Sequence, residues 1–568
     1  MIRYLILLLN VVAITGCGVK SGSSDQDTFE GRNITALHGM VVSAHPQSSR
    51  IGLLILQKGG NAIDAAVATE FALAVCGPEA GNIGGGGFML IRTSDGTTDV
   101  IDYREKAPLL ASRDMYLGTD GNVIEGLSTD THLSAGVPGT VDGMIKVHAK
   151  YGKLNFKEVI QPAIDLARKG FPVTKGQARS LNDNKEYFIN KNLKIPAFVK
   201  DSLWKEGDLL KQPDLAETLE RIRDNGRDGF YSGKTAELIL KEMIRGKGLI
   251  SEQDLNEYKS VFRKPLTTDY KGFRIISVPL PSSGGILVAQ ILGMIDQYSI
   301  KEWGFHSVKS VHLIAEAERR AFADRAKYAG DPDFVNVPVA GLMNKKYLTG
   351  RFADFDENTA SLSSEVGAGS PEGYESEETT HYSVVDQFGN AVAATTTLNN
   401  IFGSSIVVDG AGFLLNDQMD DFSVKPGVPN MYGLVGGEAN SIAPGKRMLS
   451  SMTPSIVEKE GKLFLIAGSP GGSTIPTTVF QVIINVVDYN MNIKEAVDTG
   501  RFYHQWLPDR IYFEQNCLDS LTVKELTLMG HGMRSRPPIG SVNAIQIKLN
   551  GEMVGGADKR GDNVACGY

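Results

Sequence analysis

The chain has 568 residues, 58 Lys+Arg against 66 Asp+Glu, a net charge of −8, and 42% hydrophobic and 22% charged residues. That is a globular composition with ample material for a core, and it excludes both a largely disordered chain and a multi-span membrane protein. The mildly acidic balance, with no Lys/Arg cluster to offset it, also argues against a nucleic-acid footprint.

Residues 1–16 read as an export signal: Arg3, then an apolar run from Leu5 to Ile14 broken only by Asn10. The run falls short of the about 20 apolar residues of a membrane-crossing helix and has the length of a signal's hydrophobic region. Ile14-Thr15-Gly16-Cys17 looks like a bacterial lipobox, in which Cys17 is lipidated and becomes the new N-terminus; an ordinary signal peptide cut nearby leaves Cys17 incidental. Residues 17–32 then form a Gly/Ser/Asp-rich tether. Cys76, Cys517 and Cys566 remain, too few for a disulfide framework, with one bridge at most.

Residues 61–75 carry Ala62, Ala65, Ala66, Ala72 and Leu73 at helical spacing with Asp64 in the first turn. The run Gly84-Gly85-Gly86-Gly87 leads into an apolar strand, Phe88 to Ile91. Helices are predicted over 156–169, with a kink at Pro162, and over 307–328. Residues 353–378, rich in Ser, Glu, Gly and Asp, predict a long exposed loop. A hairpin follows, from His381-Tyr382-Ser383-Val384-Val385 through the turn 386–390 to a strand over 391–398. Centred on Phe388, it pairs Thr379 with Thr397 and sets two side chains about 5 Å apart at its open end. A second hairpin, turning near Glu460-Gly461, leads to Gly468-Ser469-Pro470-Gly471-Gly472 and a helix over 477–487.

The chemistry is narrowed first by what is missing. The nine His residues show no metal-ligand spacing, the Cys residues form no CxxC, and no Gly-x-Ser-x-Gly elbow occurs. The four-glycine run lacks the Gly-Lys-Ser/Thr of a phosphate loop, so neither a metal nor a cofactor is expected. Thr379 is a candidate nucleophile if cleavage between Glu378 and Thr379 frees its own α-amino group to serve as base; otherwise Thr379 and Thr380 simply begin a strand. Arg104 can clamp a carboxylate or sit in a surface ion pair. Asn399, Gln418 and Asp421 can bind an ammonium, although Asp420-Asp421 also suits a cap or a solvated pair. Ser450 and Ser451 can donate to a carboxylate or be ordinary loop hydroxyls. The amides of Gly471 and Gly472 can form an oxyanion nest or a plain tight turn.

In combination these segments resemble the gamma-glutamyltranspeptidase (glutathione hydrolase) family of N-terminal-nucleophile hydrolases. The resemblance rests on Gly84 to Met89, Asp102 to Pro108, Ala135-Gly136-Val137-Pro138-Gly139-Thr140, Val159-Ile160-Gln161-Pro162-Ala163 and Pro281-Ser282-Ser283-Gly284-Gly285. It continues through Thr379 to Asp386, Asn416 to Phe422, Pro426 to Gly437, Leu449 to Met452 and Gly468 to Gly472. It implies an α/β (α+β) four-layer αββα sandwich, made from one precursor that cuts itself into a large subunit, 33–378, and a small catalytic subunit, 379–568. It also implies that Thr379 forms a γ-glutamyl ester and that Thr397 hydrogen-bonds it. By the same resemblance Gly471 and Gly472 hold the oxyanion, Arg104, Ser450 and Ser451 the substrate α-carboxylate, and Asn399, Gln418 and Asp421 its α-ammonium. Tyr432 belongs to the lid over the pocket. The implied partners are glutathione and other γ-glutamyl compounds, amino acid or peptide acceptors, and the sister subunit. The N-terminal sequence, not the resemblance, predicts the place: an exported lipoprotein, at the outer membrane, as Gly18 after Cys17 suggests, facing the periplasm or the cell surface and touching the membrane only through its lipid.

Met448 stands where a proline is usual, Leu280 interrupts a proline run, and Cys566 lies near the C-terminus; none touches the chemistry. Two other readings stay open. One is an acylase for cephalosporin side chains or a poly-γ-glutamate-cleaving enzyme, relatives that usually lack the lid. The other is a lipid-anchored binding protein that never matures.

Overall fold

The computed structural model describes residues 28–81, 83–371 and 380–568. The export signal, Cys17, residues 18–27 of the tether, Glu378 and Thr379 therefore lie outside the described residues, and the expected tether ends early, because Phe29–Gly31 is a strand paired with the C-terminal strand.

Two antiparallel sheets carry the molecule. The first has eight strands in the order Phe29–Gly31, Val564–Gly567, Met40–Ser43, Thr380–Val385, Ala391–Thr397, Gly86–Arg92, Thr98–Asp102, Val261–Arg263. The second has seven, in the order Thr35–Ala36, Met553–Ala557, Asn543–Ile547, Lys462–Gly468, Ser455–Lys459, Phe273–Ser277, Leu266–Tyr270. Alternation along each strand divides its side chains between two cores. Phe88 and Leu90 meet Ile276, Ile456, Ile466 and Ile545 in a core between the sheets. Met89 and Ile91 point the other way, into a core shared with the helices Pro46–Gln57, Ala62–Cys76 and Phe156–Lys169. The outer face of the second sheet is covered by Gly284–Ile295, Val308–Tyr328 and Ile475–Val487. Four layers, helix–sheet–sheet–helix, result, as the resemblance implies.

Local chemistry explains where the elements start. Asn61 accepts from the amides of Ile63 and Asp64, and Asp64 accepts in return from the Asn61 amide at 2.9 Å, a capping box that fixes the start of Ala62–Cys76. Asn155 caps Phe156–Lys169, which runs on through Pro162, and Ser307 caps Val308–Tyr328. Both hairpins form with the expected turns. Residues 353–371 are loop, but not wholly exposed as expected. Ser363 is 2% exposed, accepts from Arg319 at 2.5 Å and donates to the carbonyl of Trp506 at 2.6 Å. The three cysteines in the described residues are free.

The turn of the first hairpin is tied to a helix. One oxygen of the buried Asp386 accepts from the amides of Phe388 and Asn390, and the other accepts from Ala62 N, at the first turn of Ala62–Cys76, at 2.9 Å. Asp386→Ala is expected to cost about 2 kcal/mol, the scale of a lost cap plus unmade buried hydrogen bonds. The readout is a lower thermal unfolding midpoint, and an unchanged midpoint contradicts the assignment.

Candidate active site

The hairpin register runs Thr380 opposite Thr396, His381 opposite Thr395 and on to Val385 opposite Ala391, with no bulge. This is the register expected from a centre at Phe388. Thr397, at the open end, pairs on its other side with Gly86. Its Oγ1 accepts from the Asn399 amide at 2.7 Å, which holds Asn399 at φ +77°. The four glycines prove to be about close approach. A Cβ on Gly85 would lie 1.8 Å from the Thr397 carbonyl, and one on Gly86 would lie 2.6 Å from the Glu105 carboxylate. Asn416 closes this floor, donating to the carbonyls of Gly84 and Gly136 at 2.8 Å each.

Arg104 is not on the surface. Its side chain is wholly buried, donating to Asp421 at 2.5 Å and to the carbonyls of Met448 and Leu449 at 3.2 and 3.1 Å. Glu105 stands 3.4 Å away. Asp421 is buried too, and it also accepts from Gln418 Nε2 at 2.5 Å, so Asp420-Asp421 is not a solvated pair. Burial raises the Asp421 pKa against the opposing pull of Arg104. Burial likewise pushes Glu105 up to about 7 and Asp420 to about 6. The residue expected to hold a carboxylate and one expected to hold an ammonium are thus paired with each other.

Around this pair lie polar atoms with no protein partner. Asn399 Oδ1, Gln418 Oε1 and Glu105 Oε1 are unpartnered acceptors, and Ser451 Oγ is an unpartnered hydroxyl; all are buried. Buried polar atoms are normally satisfied, so each such group asks for a ligand or solvent. Ser450 sits beside Ser451, its amide donating to the Pro281 carbonyl at 3.2 Å while the Ser283 amide donates to its own carbonyl at 3.2 Å. The Pro281-to-Gly285 segment is therefore what supports the serine pair.

Tyr432 reaches across this group, its hydroxyl donating to the Asn399 carbonyl at 2.7 Å. Its neighbour Met431 donates through its amide to Asp420 at 3.2 Å. Tyr432 also lies over Gly472, where a Cβ would be 2.9 Å from its ring. Gly471 and Gly472 have φ of +137° and +57° and sit just before the helix Ile475–Val487. Direct contacts thus join Arg104, Gln418 and Asp421 in one group and Asn399, Tyr432 and Gly472 in another, and the two groups meet through Asn399 Nδ2, which donates to the Asp417 carbonyl at 3.0 Å, and through Met431 on Asp420.

Glu105 and Asn416 belong to this site although neither was singled out from sequence; both lie inside quoted motifs, which was the available signal. Asn440 had none. It donates to the Asp421 carbonyl at 2.7 Å and accepts from the Leu449 amide at 3.1 Å, bridging the two walls. Away from the site, His312, Glu316 and His531 form the one trio of ligand-type side chains among the described residues. The two imidazoles hydrogen-bond each other at 2.7 Å, and Glu316 is held by Arg319 and Arg320 at 3.2 and 2.6 Å. His531 Nδ1 is left without a partner, but the two guanidiniums on Glu316 disfavour a cation there.

A four-layer αββα sandwich with a threonine-headed central hairpin defines the chain's class, the N-terminal-nucleophile hydrolases. Residues 48–568 match the family model described as Gamma-glutamyltranspeptidase, and the chain belongs to that family. The glutathione hydrolase proenzyme of Escherichia coli (strain K12) is 47% identical over 547 residues, 96% of this chain and 94% of its own length. A solved Helicobacter pylori gamma-glutamyltranspeptidase chain is 45% identical, with a TM-score of 0.56, covering 58% of this chain and 94% of that one. The solved cephalosporin acylase from Bacillus halodurans has a TM-score of 0.83 at 24% identity, over 98% of this chain and 99% of that one, a likeness of fold.

Proposed function

We propose that the protein is a self-processing γ-glutamyltransferase and glutathione hydrolase. One observation carries the reading. A buried Arg104–Asp421 pair is contacted by the segments that carry two unpartnered acceptors, Gln418 Oε1 and Asn399 Oδ1, and an unpartnered hydroxyl, Ser451 Oγ. That set complements a free amino acid head group. The α-carboxylate takes Arg104, Ser450 and Ser451, and the α-ammonium takes Asp421, Asn399 and Gln418, which supply one acceptor for each of its three protons.

Thr379 is read as facing Thr397, the pairing that the sequence spacing predicts. In the precursor the Thr379 hydroxyl attacks the Glu378 carbonyl, and water opens the resulting ester, leaving subunits 33–378 and 379–568. In the mature enzyme the free Thr379 amine, directly or through water, takes the hydroxyl proton as Oγ1 attacks the γ-amide carbonyl. Gly471 and Gly472 amides stabilise the oxyanion, and Thr397 orients the nucleophile. The leaving amine departs with a proton, and the γ-glutamyl ester passes to water or to an acceptor amine. Gly472→Ala adds a Cβ against Tyr432 at a left-handed φ, and is expected to lower kcat about 100-fold, the scale of a lost oxyanion donor. Unchanged kcat in a matured variant contradicts the role.

The acylase reading shares the fold but has no use for a buried ammonium cage. Hydrolysis of γ-glutamyl-p-nitroanilide, compared with glutaryl-p-nitroanilide, which lacks only the α-amino group, decides between them. A preference of about 100-fold or more for the γ-glutamyl compound is expected from lost charge-assisted hydrogen bonds; equal rates favour the acylase, and no turnover of either favours the binding protein. Export and lipidation at Cys17, with outer-membrane attachment, are proposed from the N-terminal sequence. No helix among the described residues is long and apolar enough to cross a membrane.

A further inference from the structure

Helix Ala62–Cys76 packs against both strands of the nucleophile hairpin on the face opposite the second sheet. Among its inward residues is a carboxylate, Glu70, only 2% exposed. It lies in a layer otherwise built from Phe71, Val67, Met89, Val384 and similar apolar groups. No cation faces it. Its polar neighbours are the hydroxyls of Thr396 and Tyr382, and burial outweighs their pull and holds the carboxyl up at about 7. The phenol of Tyr103 senses the same carboxylate. Glu70 Oε2, Tyr103 OH and Tyr382 OH are all buried with no protein hydrogen-bond partner. Thr396 spends its proton on the Gly86 carbonyl at 3.0 Å, so it offers the group only lone pairs.

Three unpartnered polar atoms from three different segments thus face one apolar layer. Buried polar groups are normally satisfied, so each of these asks the others for a donor or an acceptor. Their positions matter for the reaction read above. Tyr382 follows Thr379 by three residues in sequence and lies on the strand Thr380–Val385. Tyr103 immediately precedes Arg104, its amide donates to the Gly87 carbonyl at 2.9 Å, and its side chain is packed so closely that a Cβ on Gly143 would lie 2.5 Å from it. Whatever fixes these two phenols relative to each other fixes the nucleophile relative to the carboxylate clamp.

We propose that Glu70 is a positioning residue for the reaction: its carboxyl group links the hydroxyl of Tyr382 on the nucleophile strand to that of Tyr103 beside Arg104. The inference rests on the functional reading above. A protonated carboxyl suits the place because it both donates and accepts, whereas a carboxylate there lies in an apolar layer with no counter-ion.

The test is steady-state kinetics on γ-glutamyl-p-nitroanilide with matured Glu70→Gln, Glu70→Met, Tyr382→Phe and the Glu70→Met/Tyr382→Phe double variant. Gln keeps a donor and an acceptor, while Met fills the volume with neither. Expected are at least about half the wild-type kcat for E70Q, a fall of about tenfold or more in kcat with little change in KM for E70M, and a double variant no worse than E70M. A purely packing role gives the reverse order, since Met is then the better substitute. Wild-type kcat in E70M, equal loss in E70Q and E70M, or full additivity in the double variant overturns the inference. Should E70M fail to mature, Tyr382→Phe and Tyr103→Phe each remove a single oxygen, and wild-type kcat in both overturns it equally. An inactive wild-type protein overturns the functional reading and this inference together; an active one with unaffected variants overturns this inference alone.

Discussion

Thr379→Ala is expected to give a folded, uncleaved and inactive chain. The hydroxyl is the proposed attacking atom both in the precursor's self-cleavage and in turnover, so its loss removes both at once. The drop in kcat/KM should be about 10⁴-fold or more, the scale seen when a covalent nucleophile is deleted. Folding should survive because the strand Thr380–Val385 is paired on both sides, with Met40–Ser43 and with Ala391–Thr397, and needs nothing from the side chain at its head. Denaturing electrophoresis and thermal melting check this together: one band, a wild-type-like melt and no turnover. Two subunits from this variant remove Thr379 from its role.

Arg104→Lys is the second large effect. A lysine keeps the charge that balances Asp421 and Glu105, so the chain should fold and mature. What it loses is the planar fork that at present reaches Asp421 and the carbonyls of Met448 and Leu449 together. In the proposed function, that fork grips the substrate α-carboxylate. KM for a γ-glutamyl anilide should rise about 100-fold, about 2.7 kcal/mol for charge-assisted bonds of this type, with kcat falling less. Arg104→Ala is the harsher change, since it strands two buried carboxyl groups, and it should fold poorly. An unchanged KM in Arg104→Lys means that the buried pair serves the fold and not the substrate.

Much of the frame is legible from the chain alone because it is written in local chemistry. Asn61, Asn155 and Ser307 are cap residues standing directly before periodic apolar runs, so the helices they start fall within a residue or so of the expected bounds. The hairpin at Asp386 to Asn390 has turn residues that fix its register, and that register follows the spacing down to Thr380 opposite Thr396. Pro162 is the milder surprise: helix Phe156–Lys169 runs through it with no change of bounds. The composition of residues 353–371 pointed to solvent, yet Ser363 is buried because a distant arginine and Trp506 give a small polar side chain the partners that burial requires.

The site is different, because its partners are far apart in sequence. Each of Arg104, Asn399, Gln418, Asp421 and Ser451 has an ordinary alternative when read singly, and only the family resemblance assembles them. The mutual pairing of Arg104 with Asp421 is visible only in three dimensions, as is the reason for four consecutive glycines. So is the part of Asn440, which has no motif of its own. Glu70 shows the limit most clearly: it belongs to no motif and stands out in no pattern of the sequence, and only the packing of its helix on the hairpin strands places it behind the site.

The central claim is that this chain makes its own nucleophile. Intact mass on purified wild-type protein, with N-terminal sequencing of each piece, tests it most directly. The account predicts two pieces held together in the native state, the smaller beginning at Thr379 and ending at Tyr568. A single uncut chain, or a smaller piece that begins at any other residue, contradicts it.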